Sequence, residues 1–97
     1  MDNSSEYNDR QLRLMLGVIS EYESGEASLG KLVSDLEALE AALEKPNPTF
    51  AKDFRQVWGD LETIYALMLD DGRTTPTEDE VGVVRRILKE LKPLISS

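Results

Sequence analysis

Apolar positions along the chain fall into four runs of helical period, separated by short polar segments that carry glycine or proline. The most apolar run lies near the middle. Phe50, Phe54, Val57, Leu61, Ile64 and Met68 are spaced 4, 3, 4, 3 and 4 apart, the interval that stacks side chains on one face of an α-helix. Trp58 and Tyr65 widen this stripe, and Leu67 and Leu69 place apolar groups beyond it. A helix apolar over so much of its circumference needs cover on more than one side. It is read as the central helix of a small bundle.

The other runs are narrower. Leu12, Met15, Ile19 and Tyr22 follow one another at 3, 4 and 3, flanked by Leu14, Leu16 and Val18. Asn8 or Asp9 can cap this first helix by accepting from free backbone N–H groups, and Gly25 can end it in the left-handed conformation. Gly17, inside it, costs about 1 kcal/mol relative to alanine. Ser28 is the expected cap of a second helix carrying Leu29, Leu32, Leu36, Leu39 and Leu43. Lys45-Pro46-Asn47-Pro48-Thr49 must end it, because two prolines so close cannot continue a helix. Thr49 can then cap the central helix, which Gly72 stops. Thr75-Pro76-Thr77-Glu78 reads as the next start, with Thr75 as cap and Glu78 completing a capping box. Thr77 with Glu80 is a rival box two residues on. Val81, Val84, Leu88, Leu91 and Ile95 form the last stripe, and Pro93 predicts an end or kink near Lys92.

These readings predict an all-α fold, an antiparallel up-down four-helix bundle with helices at about 9–24, 28–44, 50–71 and 76–92. Residues 1–8 are expected to be a flexible tail, and residues 9–97 one domain. Asp35-Leu36-Glu37-Ala38-Leu39 echoes Asp60-Leu61-Glu62-Thr63-Ile64, but shared helical patterning explains the echo as well as duplication does.

Composition narrows the chemistry. The chain has no Cys and no His, which removes thiolate chemistry, the commonest general base and the commonest metal ligand. Asp35 with Glu37, and Asp60 with Glu62, are two apart and diverge on a helix. Asp70-Asp71-Gly72 does not continue into a calcium loop. No nucleophile has a base and no glycine-rich loop could cradle phosphate, so no catalytic residue, metal or cofactor is assigned and enzyme activity is not expected. No apolar run is long enough to cross a membrane. The polar start lacks the features of a signal peptide, and with the missing Cys this fits the cytoplasm.

Nineteen acids against eleven Lys and Arg give a net charge of −8. Such a surface disfavours nucleic acid and anionic lipid and permits a basic protein partner. In an up-down bundle the connections after the first and third helices share one end. They bring Glu21, Glu23 and Glu26 together with Asp70, Asp71, Glu78, Asp79 and Glu80, with Arg73 the lone cation. Arg10, Arg13, Lys45, Lys52, Lys89 and Lys92 are expected at the other end. Glu78, Asp79 and Glu80 suit a helix N-terminus. Glu21, Glu23, Asp70 and Asp71 sit in last turns, where the helix dipole disfavours each anion by about 0.3–1 kcal/mol. A solvated helix end carries such a cost without purpose; a docking pole for a basic partner gives it one. Trp58 and Tyr65 continue the apolar stripe and read first as core, with an aromatic interface anchor as the alternative.

The run Val57-Trp58-Gly59-Asp60-Leu61-Glu62-Thr63-Ile64-Tyr65-Ala66-Leu67, continued by Leu69-Asp70-Asp71-Gly72-Arg73, belongs with Ser28-Leu29-Gly30-Lys31-Leu32-Val33-Ser34-Asp35-Leu36-Glu37. Together they resemble short acidic all-helical bacterial proteins of the toxin-immunity kind, a likeness spanning about residues 10–95. The resemblance implies a cytoplasmic inhibitor that binds and blocks a partner toxin, and assigns no binding residue. The expected function is a non-enzymatic protein-binding module, an antitoxin of the immunity type. The rival is a self-associating structural or adaptor bundle, a homodimer formed through the surplus apolar face of the third helix.

Overall fold

A computed structural model describes residues 4–96. Its elements are α1 (Ser4–Glu23), α2 (Leu29–Ala41), α3 (Pro48–Asp70) and α4 (Glu78–Ser96). Each helix packs on two others: α1 and α3 both lie between α2 and α4. The result is an all-α four-helix bundle, 49 × 24 × 20 Å.

Side-chain pairs show the helices running oppositely. As α3 advances through Arg55, Trp58 and Tyr65, its partners on α2 retreat through Glu40, Val33 and Gly30. Leu12 and Arg13 of α1 line a groove with Ile95 of α4, while Tyr22 lines another with Val81 and Arg85. The stripes read from the sequence meet in one core. Met15, Ile19, Leu32, Leu36, Phe54, Leu61, Val84, Leu88 and Leu91 are fully enclosed, each contributing about 1.5–3 kcal/mol by leaving water.

The helix ends depart from the expected ones for local reasons. The part of the expected tail that is described, residues 4–8, is helical; the rest of that tail lies outside the described residues. Asn8 does not cap α1. It lies one turn before Leu12 on the same stripe, and its amide meets the backbone of Glu44, donating to the carbonyl (2.7 Å) and accepting from the N–H (2.9 Å). That pair ties the start of α1 to the α2–α3 connection. α2 ends at Ala41 rather than near residue 44, and Lys45 takes a left-handed φ of 45° as the chain turns into Pro46.

Asn47, not Thr49, caps α3. Its side chain accepts from the N–H of Thr49 (2.8 Å) and Phe50 (3.3 Å), with Pro48 entering the first turn. The rival box starts α4. Thr77 Oγ1 accepts from the Glu80 N–H (3.2 Å), and the Glu80 carboxylate accepts from the Thr77 N–H (2.8 Å). Thr75 and Pro76 stay in the connection. Nor does Pro93 end α4, which continues to Ser96. Leu91 and Ile95 are buried on either side of Pro93 while the proline itself is exposed. Packing therefore holds the last turn, and the ring occupies the solvent face.

The helices also differ in length. α2 has 13 residues and α3 has 23. Gly30, in the first turn of α2, is already level with Tyr65. α2 thus has nothing left to cover Leu69, one turn further along α3, which is 52% exposed.

Candidate functional site

The two connections that carry the acids end their helices in the same way. At the end of α1 the Gly25 N–H donates to the Tyr22 carbonyl (3.0 Å) and the Glu26 N–H to the Glu21 carbonyl (2.9 Å). At the end of α3 the Gly72 N–H donates to Leu69 (2.9 Å) and the Arg73 N–H to Met68 (3.0 Å). Both are Schellman closures, which need a residue at positive φ. Gly25 at 85° and Gly72 at 71° supply it without the penalty a Cβ would bring. Gly25, Ala27 and Ser28 from the first connection then line one cleft with Thr74, Thr75 and Pro76 from the second. The two connections lie side by side at one end of the molecule, as an up-down order requires.

The eight acids expected there do not form one uniform group. Three are held by cations of the same chain. Arg73 reaches Glu80 through both terminal nitrogens and Asp71 through one (3.1 Å). This pairing, together with the Thr77 N–H, holds the Glu80 carboxyl down to about 2 from its ordinary 4.5. Lys92 donates to both oxygens of Glu23 (2.7 and 2.8 Å). Lys92 therefore does not serve the expected basic end. Helical side chains lean toward the N-terminus of their own helix. On the oppositely directed α1 and α4, Glu23 and Lys92 consequently lean toward each other.

The other five, Glu21, Glu26, Asp70, Glu78 and Asp79, are exposed and enter no ion pair among the described residues. Glu21 is close enough to Lys31 to help raise its pKa, behind the larger effect of Asp35, to which Lys31 is bonded. In the cleft between the connections, burial raises the Tyr22 hydroxyl pKa, and the nearby positive charge of Arg85 opposes that shift. The charged residues lining the cleft are Glu23, already paired, and Arg85, among apolar and small groups. The five unpaired acids lie outside that lining, around the same end of the molecule, and give that end a negative field that attracts cationic groups. Among the described residues no group of three or more acids is placed to hold a metal ion.

Trp58 and Tyr65 are half-buried against the core on the α2 side. The Trp58 indole N–H donates to the Val33 carbonyl (3.1 Å), and the Tyr65 ring lies over Gly30, where a Cβ would stand 2.8 Å from its hydroxyl. The indole N–H is thus occupied inside the chain, and the Tyr65 ring is turned to the first turn of α2. From the sequence Arg73 is only a lone cation among acids; the structure shows it binding Asp71 and Glu80 together. The clue was the Thr77–Glu80 box, which turns Glu80 back toward Arg73. No helix is long and apolar enough to cross a membrane among the described residues. Comparison with protein-family models, with curated proteins and with solved structures gives no match to this chain.

Proposed function

We propose that this chain is a non-enzymatic binding protein, an immunity-type inhibitor that neutralises a basic toxin in the bacterial cytoplasm by covering its surface. The observation that supports this reading best is the meeting of two glycine-ended connections at one cleft, with Glu26 on the first and Glu21, Asp70, Glu78 and Asp79 on the helix turns flanking them, none in an ion pair among the described residues. Acids left free at helix C-termini are unfavourable to the isolated protein. A cationic partner turns that cost into attraction and speeds encounter. The internal pairs narrow the expected contact set. Glu23, Asp71 and Glu80 hold the end in shape, while Glu21, Glu26, Asp70, Glu78 and Asp79 meet the partner.

The test is titration, by calorimetry, against the basic protein encoded by the adjacent gene. Changing the five free acids to Gln or Asn is expected to weaken binding at least about a hundredfold at low salt and to flatten its salt dependence. Unchanged affinity and salt dependence would remove the acidic-pole mechanism.

A further inference from the structure

The outer groove between α3 and α4 carries a different pattern. It is lined by Asp60, Thr63 and Ile64 of α3 and by Val83, Arg86, Ile87 and Glu90 of α4. Leu67 lies one turn from Thr63 toward the Gly72 connection, and Val83 one turn from Ile87 in the same direction. Leu67 is 55% and Val83 39% exposed. Arg86, Asp60 and Glu90 enter no ion pair among the described residues. The face thus presents apolar side chains, one free cation and two free carboxylates.

The order of these groups is self-complementary. Val83, Arg86, Glu90 and the exposed Pro93 follow at 3, 4 and 3 along α4, one stripe of the helix. Reversed about its midpoint, the stripe sets Val83 against Pro93 and Arg86 against Glu90. Asp60 lines the groove beside Glu90, so the same reversal sets it near Arg86 as well. We propose that a second copy of this chain docks here, antiparallel, about a two-fold axis between Arg86 and Glu90. A two-fold interface requires such self-complementarity, since each contact occurs twice. Two neighbouring helices of this length offer a face of about 28 by 20 Å, burying roughly 1,100 Å² in total, near the lower limit for a specific interface. The dimer is therefore weak, with a dissociation constant in roughly the micromolar range. It leaves the two acidic poles at opposite ends, so it stands apart from toxin binding.

Sedimentation equilibrium over a concentration series at near-physiological salt tests it. Wild type is expected to dimerise, and Arg86→Glu or Glu90→Arg alone to weaken the dimer about tenfold. Mixed one to one, the two variants regain opposite charges at both contacts and should associate about tenfold more tightly than either alone. Circular dichroism shows whether these exposed substitutions leave helicity unchanged; Leu67→Glu, which should also weaken the dimer, supplies a second probe. A wild-type monomer through roughly 500 μM, well above the expected constant, or a mixture no tighter than its components, overturns the proposal.

Discussion

Gly30 shows how much one missing side chain decides. Alanine in a helix is ordinarily worth about 1 kcal/mol more than glycine. Here its Cβ would meet the Tyr65 hydroxyl at 2.8 Å and two ring carbons at 3.0 Å, so the ring must shift within its packing between α2 and α3. Gly30→Ala is expected to lower the unfolding free energy by about 1 kcal/mol in urea titration. In a Tyr65→Ala background the same change should raise it by about 0.5–1 kcal/mol. Equal effects in both backgrounds would show that Tyr65 is not the cause. Both residues were visible in the sequence, but nothing local joins them. Their meeting depends on the stagger of α2 along α3.

At the scale of elements, the start of α4 was legible as a choice between two capping boxes. Local signals alone favoured Thr75, because Pro76 suits a first helical position. The pairing of Arg73 with Glu80, seven residues apart across the connection, goes with the other box, since the same carboxylate closes it onto Thr77. This has a pH signature. The Glu80 carboxyl lies near 2 in the folded chain and near 4.5 when free, so folding favours its ionised form. The stabilisation is fully present above about 4.5 and is lost as pH falls toward 2. NMR titration should place the Glu80 midpoint near 2. Glu80→Gln should be less stable than wild type at neutral pH, with the difference closing in acid. A difference constant across that window would mean that ionisation of Glu80 does not hold the connection. The Pro93 and Asn8 departures have a longer-range origin: neighbours distant in sequence outweighed a local preference.

For the whole molecule, charge is the governing quantity. A net charge of −8 is unevenly compensated, with Arg73 and Lys92 committed to pairs within the chain and five acids around the two connections in no ion pair among the described residues. If the free acids are retained for a partner, stability and binding should move in opposite directions. Glu21→Gln and Asp70→Asn remove anions from helix C-termini. Each is expected to raise the unfolding free energy by about 0.3–1 kcal/mol at low salt, with the gain shrinking at high salt. Urea titrations at two ionic strengths measure it. A merely solvated end shares this gain, whereas only a docking pole loses affinity for the basic partner as it appears.

The sequence by itself determined the number of helices, their type and most of their core. These follow from local rules: apolar groups at helical spacing must face a common interior, and proline or a left-handed glycine stops a helix wherever it stands. It also determined that acids would gather at one end, because short connections force neighbouring helices to reverse. Only the tertiary structure decided which of those acids remain free. Glu23 meets Lys92, Asn8 meets Glu44 and Tyr65 meets Gly30 across long stretches of chain. Such meetings depend on the phase and stagger of packed helices, which a repeat of three and four residues leaves undefined.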